Sequence, residues 1–264
     1  MTDWITETQE LYTVENNELY CIRKGNAGQE PVLVFLHESL GSAAQWRDFP
    51  DMLARACGCG LLVYDRQGYG KAGPMHSIQR PLDYLEQEAF ILKRLLEQLN
   101  IQEAILFGHS DGASIALIAA ALYPQRIRAV ISEAAHIYVE EITLQGIQAA
   151  KRLYDSSDLK PRLQKYHGDK TDAVFRSWYQ TWTSAGFRNW NIEHLLPRIQ
   201  CPLLVMQGDA DAYGTLQQVW DIVKGTGAGA EACIIPGAGH TPHKEVLKVT
   251  FEKANAFIKN LLQT

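Results

Sequence analysis

The 264-residue chain lacks the features that mark several functional classes. It has no basic excess: 25 Lys and Arg stand against 30 Asp and Glu, a net charge of -5. It therefore presents no positive field to nucleic acid or to an anionic membrane surface. Long apolar runs are missing too; the longest, Ala113 to Leu122, is about half of a bilayer-crossing helix. Met1 to Glu10 carries Asp3, Glu7 and Glu10 and no apolar centre, so neither a secretion signal nor a transit peptide is expected there. Cysteine is sparse: Cys21, Cys57, Cys59, Cys201 and Cys233 are odd in number, scattered and without a C-x-x-C pair. Neither a disulfide framework nor a zinc site is expected, and Cys201 and Cys233 read as buried thiols. Internal repeats and low-complexity stretches are also lacking. The expectation is a soluble, cytoplasmic protein with a small-molecule substrate and neither a nucleic-acid nor a membrane partner; oligomeric state stays open.

What is present is the composition of one large globular domain, 46% hydrophobic and 21% charged. Short apolar runs recur at Val32–Leu36, Leu61–Tyr64, Ala104–Phe107, Ala129–Ile131, Leu203–Met206 and Ala232–Ile235. They are continuous rather than alternating, as in strands covered on both faces of a parallel sheet. Leu11–Val14 and Glu18–Ile22 read as an antiparallel hairpin around Glu15-Asn16-Asn17. Helical patterns occupy about 43–56, 82–99, 111–122, 214–224 and 243–263. Strand and helix in alternation imply an α/β fold with right-handed crossovers, its ligands at the carboxyl ends of the strands. From about Tyr138 to Pro197 the rhythm breaks into helical periodicity rich in aromatics, including Trp178 and Trp182. A structureless loop of that length is improbable, so this stretch is expected as a helical cap (138–197) over a core made of 1–137 and 198–264.

The chemical signal is Gly108-His109-Ser110-Asp111-Gly112, which follows the strand at 104–107 and opens the helix at 111–122. So sharp a strand-to-helix turn needs small neighbours and holds the serine hydroxyl out of the sheet. The amide of Asp111, at the positive end of the helix, is placed to hold an oxyanion. A serine hydroxyl needs an imidazole to take its proton, and that imidazole needs a carboxylate to fix its tautomer. Gly208-Asp209-Ala210-Asp211 follows the strand at 203–206, and Gly239-His240 follows the strand at 232–235. They stand in the order Ser, Asp, His that suits this architecture. His240 is the expected base, and Asp211, Asp209 and Glu133 are the candidate acids.

With these motifs, with His37 and Leu40-Gly41-Ser42 ahead of Trp46, and with Asp65-Arg66-Gln67-Gly68-Tyr69-Gly70, the chain resembles the α/β-hydrolase superfamily in its capped esterase and lactonase-like branch. The resemblance covers about residues 18 to 260. It implies the α/β-hydrolase fold, a mostly parallel central sheet flanked by helices with an inserted helical cap. It further implies Asp211 as the acid, leaving Asp209 to cap its turn, and the Ser39 amide as second oxyanion donor. Asp65-Arg66 is expected to brace loops.

One departure is His37-Glu38, where relatives have His-Gly. Glu38 is expected to point outward to an arginine; the other reading is a carboxylate at the mouth that repels anions. His109 reads as a packed structural residue, His243 as a solvent-facing residue of the last helix, and His136 is undecided. The cap aromatics read as the cap's own core or as a pocket lining.

The preferred function is hydrolysis of a carboxylic ester, thioester or lactone through an acyl-enzyme, with no cofactor and no metal. The alternatives are C–C hydrolysis of a vinylogous diketone, with Arg188 and Asn189 available to grip a carboxylate, and a slow or non-catalytic receptor. Ser110 stands where epoxide hydrolases and haloalkane dehalogenases of this fold carry aspartate, which argues against both.

Overall fold

The structure is a computed structural model that describes residues 6–25, 29–227 and 229–263. The first part of the segment read for leader features, residues 1–5, lies outside them. Along the chain, β1 (Thr6–Val14) and β2 (Asn17–Gly25) form the expected antiparallel hairpin, followed by β3 (Val32–Leu36). Then come α1 (Phe49–Cys57), β4 (Gly60–Asp65), α2 (Tyr84–Gln98), β5 (Ala104–His109), α3 (Asp111–Leu122) and β6 (Ile127–Glu133). The helical stretch contains α4 (Glu141–Ser156), α5 (Leu159–His167) and α6 (Thr171–Trp182). The chain returns through β7 (Leu203–Gly208), α7 (Leu216–Gly225), β8 (Ala230–Ile235), α8 (Pro242–Glu245) and α9 (Leu247–Gln263).

The strands make one sheet in the order β1-β2-β4-β3-β5-β6-β7-β8. The β1–β2 and β2–β4 pairs are antiparallel and the remainder parallel. The continuous apolar runs have the physical cause expected of them. In β3, Val32, Val34 and Leu36 enter the core under α2 and α3, while Leu33 and Phe35 enter a second core under α1 and α9. Both faces of the central strands are therefore buried, and the runs are apolar on both.

Two expected helices are each divided. The 43–56 pattern is a short 3-10 turn, Ala43–Trp46, then a break at Arg47 (φ 54°) before α1, whose first turn holds Pro50. Likewise the 243–263 pattern is split at Val246 (φ -132°) into α8 and α9. Both breaks keep the hydrophobic phase, so periodicity alone could not show them.

The two ends of the helical stretch meet each other. Tyr138 pairs with Asn191 in an isolated bridge, and Ile192 N–H donates to Ile137 O at 2.8 Å. Among the described residues no helix is long and apolar enough to cross a membrane.

Candidate active site

Ser110 sits between the last residue of β5 and the first of α3 with φ 54° and ψ -118°. A side chain rarely adopts that backbone, and the surroundings hold it there. Ser110 N–H donates to Glu133 O at 2.9 Å. A Cβ on Gly108 would lie 2.3 Å from Gly112 O, and one on Gly112 would lie 2.0 Å from Leu36 O. The glycines of the motif are thus demanded by backbone contact, which lets α3 run tightly against β3 and lifts the hydroxyl to the sheet edge.

His240 comes from the turn after β8, and its Nε2 lies 3.0 Å from Ser110 Oγ. Its Nδ1 lies 2.9 Å from both oxygens of Asp211, which follows β7. Asp211 also accepts the Tyr213 N–H at 2.8 Å. Burial alone would raise the Asp211 carboxyl, but the hydrogen bond and charge of His240 and the Tyr213 amide outweigh it and hold its pKa down. Asp211 is therefore an ionised acceptor that places the proton of His240 on Nδ1 and leaves Nε2 free for the serine.

Of the other candidate acids, neither reaches His240. Asp209 accepts Gly237 N–H at 2.7 Å, capping the neighbouring turn as expected. Glu133 instead pairs with His243: Oε2 lies 2.5 Å from Nδ1, and Oε1 accepts the His243 N–H at 2.8 Å. His243 is consequently 2% exposed, not solvent-facing. Its helix is one turn long and folds back under the His240 turn, against the rings of Trp46 and Phe49. His109, Glu133 and His243 have potential ligand atoms within 4.8 Å of one another. Both Glu133 oxygens are taken up by His243, one by Nδ1 and the other by the backbone N–H, so the cluster is a hydrogen-bonded bracket rather than a vacant donor set.

Ser39 and Asp111 line the same cavity as Ser110 and His240. Asp111 is the first residue of α3, where helix amides have no intrahelical acceptor. Arg66, fully buried, donates from Nη2 to His37 O (3.2 Å) and Glu38 O (3.1 Å), which fixes the peptide units leading into Ser39. Asp65 accepts Ala43 N–H and Lys71 N–H at 2.6 and 2.8 Å, so the Asp65-Arg66 pair is the brace expected of it. Glu38 does not meet an arginine: its carboxylate lies 3.7 Å from His109 Nδ1 and 4.0 Å from Lys244 Nζ, and it lines the cavity.

The cavity above Ser110 holds about 200 Å³. Ile147, Trp178, Trp182 and Tyr213 give it apolar walls, so Trp178 and Trp182 face it as well as packing in the core. His136 is resolved by the geometry: it is buried, and its Nε2 lies 3.0 Å from Tyr213 O. Burial and the nearby His240 lower its pKa, so it stands as a neutral wall donating to that carbonyl.

Two contributors, Tyr84 and His167, carry no local sequence signal. Tyr84 OH donates to Asp111 Oδ2 at 2.9 Å and accepts Trp182 Nε1–H at 2.9 Å, tying Asp111 to α6. His167 in α5 lies with Nε2 3.0 Å from Leu40 O and accepts Gly70 N–H on Nδ1 at 3.1 Å. These bonds join residues from 27 to 127 positions apart, distances at which no spacing rule operates.

Comparison with known proteins agrees with this fold. A family model for the alpha/beta hydrolase fold matches residues 31–178, more than half of the chain. The chain belongs to the α/β-hydrolase fold family. It is 31% identical over 161 residues to serine hydrolase BPHL of Homo sapiens, covering 57% of this chain and 53% of that one. The chain spans about half the length of the curated relatives it matches. In structure it is similar to the enol-lactonase from Burkholderia xenovorans LB400, with TM-score 0.77, 18% identity, and coverage of 94% of this chain and 99% of that one. It is similar also to a thermophilic esterase from Thermogutta terrifontis, with TM-score 0.74, 17% identity and coverage of 96% and 99%. At such identities the structural likeness speaks for the α/β-hydrolase fold alone.

Proposed function

We propose that this α/β-hydrolase cleaves a carboxylic ester, thioester or lactone through an acyl-enzyme on Ser110. The observation that carries the reading is the unbroken line Asp211–His240–Ser110, 2.9 Å and 3.0 Å, ending on a serine held in a strained turn. As Ser110 Oγ bonds to the substrate carbonyl carbon, its proton passes to His240 Nε2, and Asp211 stabilises the imidazolium. The carbonyl oxygen gains the negative charge and is held by the Ser39 and Asp111 amides. Collapse breaks the bond to the leaving oxygen or sulfur, which takes the proton from His240. Water then gives a proton to His240 and its oxygen to the acyl carbon, and Ser110 leaves with that proton restored.

Residues 138–197 act as a cap on the core of 1–137 and 198–264, with α6 supplying Trp178 and Trp182 to the acyl pocket. A cavity of about 200 Å³ suits a short acyl group. No lysine or arginine lines it among the described residues, and Glu38 does. Arg188, the residue available for a substrate carboxylate in C–C hydrolysis, is exposed and paired with Glu141 at 2.7 Å. Neutral substrates fit the site better than anionic ones.

A panel of p-nitrophenyl esters of increasing acyl length tests this reading on the native protein and on Ser110→Ala. Turnover should peak at short chains and fall by roughly 10⁴-fold or more in the variant. A native protein inert on every ester, but labelled at Ser110 by a fluorophosphonate, would move the C–C hydrolase and receptor readings ahead.

A further inference from the structure

The mechanism above leaves unused a buried group of imidazoles and carboxylates beneath the His240 turn. Glu133, at the end of β6, is engaged with both halves of the site: its carbonyl accepts Ser110 N–H, and its carboxylate holds His243. His109, which precedes the nucleophile and is 1% exposed, faces His240 O with Nε2 at 2.8 Å. A carbonyl only accepts, so His109 carries a proton on Nε2. The other ring nitrogen, Nδ1, has no hydrogen-bond partner but stands 3.7 Å from Glu38 Oε2.

A neutral His109 with its one proton on Nε2 would turn a lone pair on Nδ1 toward a carboxylate, which is repulsive. A second proton makes both contacts attractive and strengthens the bond to the His240 carbonyl, since charge-assisted hydrogen bonds are roughly twice as strong as neutral ones. We propose that His109, held as an imidazolium by Glu38, is a positioning residue that fastens the His240 turn to the nucleophile elbow. Glu38, the departure in the oxyanion loop, thereby controls the placement of the base rather than the charge of the substrate alone.

The groups around His109 agree. Glu38 reaches it from the loop after β3, Glu133 from β6, and His240, His243 and Lys244 from the segment after β8. Burial opposes a charge on His109 and Lys244 opposes it too, but Glu38 and Glu133 outweigh them and its pKa is raised. His243, whose pKa burial lowers, stands beside Glu133 as a neutral donor, while Glu133 is held ionised. With a raised pKa the fastening is complete at low pH and is lost as pH rises through the folded value of His109.

The kinetic arm of the test rests on the proposed hydrolase reading; the spectroscopic arm does not. Imidazole NMR of the full chain, with the His109 signal assigned by its loss in His109→Gln, follows its titration in the native protein, Glu38→Gln and Glu38→Asp. The midpoint should fall by roughly one pH unit or more in Glu38→Gln and be largely restored in Glu38→Asp, which keeps the charge. The alkaline limb of kcat on p-nitrophenyl acetate should move to lower pH in Glu38→Gln with it. A His109 midpoint unmoved by Glu38→Gln, or an alkaline limb that stays while the midpoint falls, would overturn the proposal. If the native protein turns over no ester, the hydrolase reading fails by itself, and the NMR midpoint still decides whether Glu38 charges His109.

Discussion

Ser110, His240 and Asp211 come from three loops at one edge of the sheet, and each is held by contacts that a single substitution can interrogate. Asp211→Asn keeps the shape of the acid but lets the amide donate toward Nδ1, favouring the wrong tautomer of His240. The rate should fall by about 10³-fold or more, measured as kcat/KM on a p-nitrophenyl ester. Asp209→Asn, two positions away, alters only the cap on Gly237 N–H and should leave the rate within about threefold. A large loss in Asp209→Asn with little in Asp211→Asn would reverse the assignment of the acid. At this scale, residues placed by a strand end were legible, because the turn after a parallel strand has few directions open to it. His243 and Glu38 were not: the first is buried by a one-turn helix that doubles back, and the second bends to His109 and Lys244. Both outcomes depend on which distant side chain arrives alongside.

The elements most sensitive to change are α3 and α6. Gly112→Ala on α3 would drive a methyl group to within 2.0 Å of Leu36 O, a backbone atom that cannot swing aside. The expected result is a severe loss of both soluble yield and activity, read by expression and by thermal melting. Trp182→Ala on α6 removes a buried ring and its bond to Tyr84, which itself anchors Asp111. A destabilisation of about 3–5 kcal/mol is expected in denaturant titration; a change below about 1 kcal/mol would mean that α6 can repack without it. Strands were legible from their continuous burial, and α3, buried on every side from Asp111 to Ala121, falls on the expected 111–122. The breaks at Arg47 and Val246 were hidden because the apolar phase continues through them. Trp178 and Trp182 showed a helical face, but only the fold shows that this face is shared between packing and the cavity.

Across the whole molecule, the buried histidines set a pH dependence of stability. His37, His136, His167 and His243 have lowered pKa values, chiefly from burial. Each is neutral in the fold and binds a proton more readily when unfolded, so their stability contribution is full above about pH 6.5 and declines as pH falls below it. His109 has the opposite sign, its raised pKa adding stability that is lost as pH rises. Four groups outweigh one, and the melting temperature should drop between pH 7 and pH 5; a flat or rising profile over that range would contradict the neutral state of these imidazoles.

Covalent catalysis by Ser110 is open to intact-mass spectrometry of enzyme quenched in acid during turnover of a short-chain p-nitrophenyl ester. The expected species is heavier by the acyl group, maps by peptide analysis to Ser110 and is absent from Ser110→Ala. Sustained turnover in Ser110→Ala, or an acyl group on any other residue of the active enzyme, would contradict it.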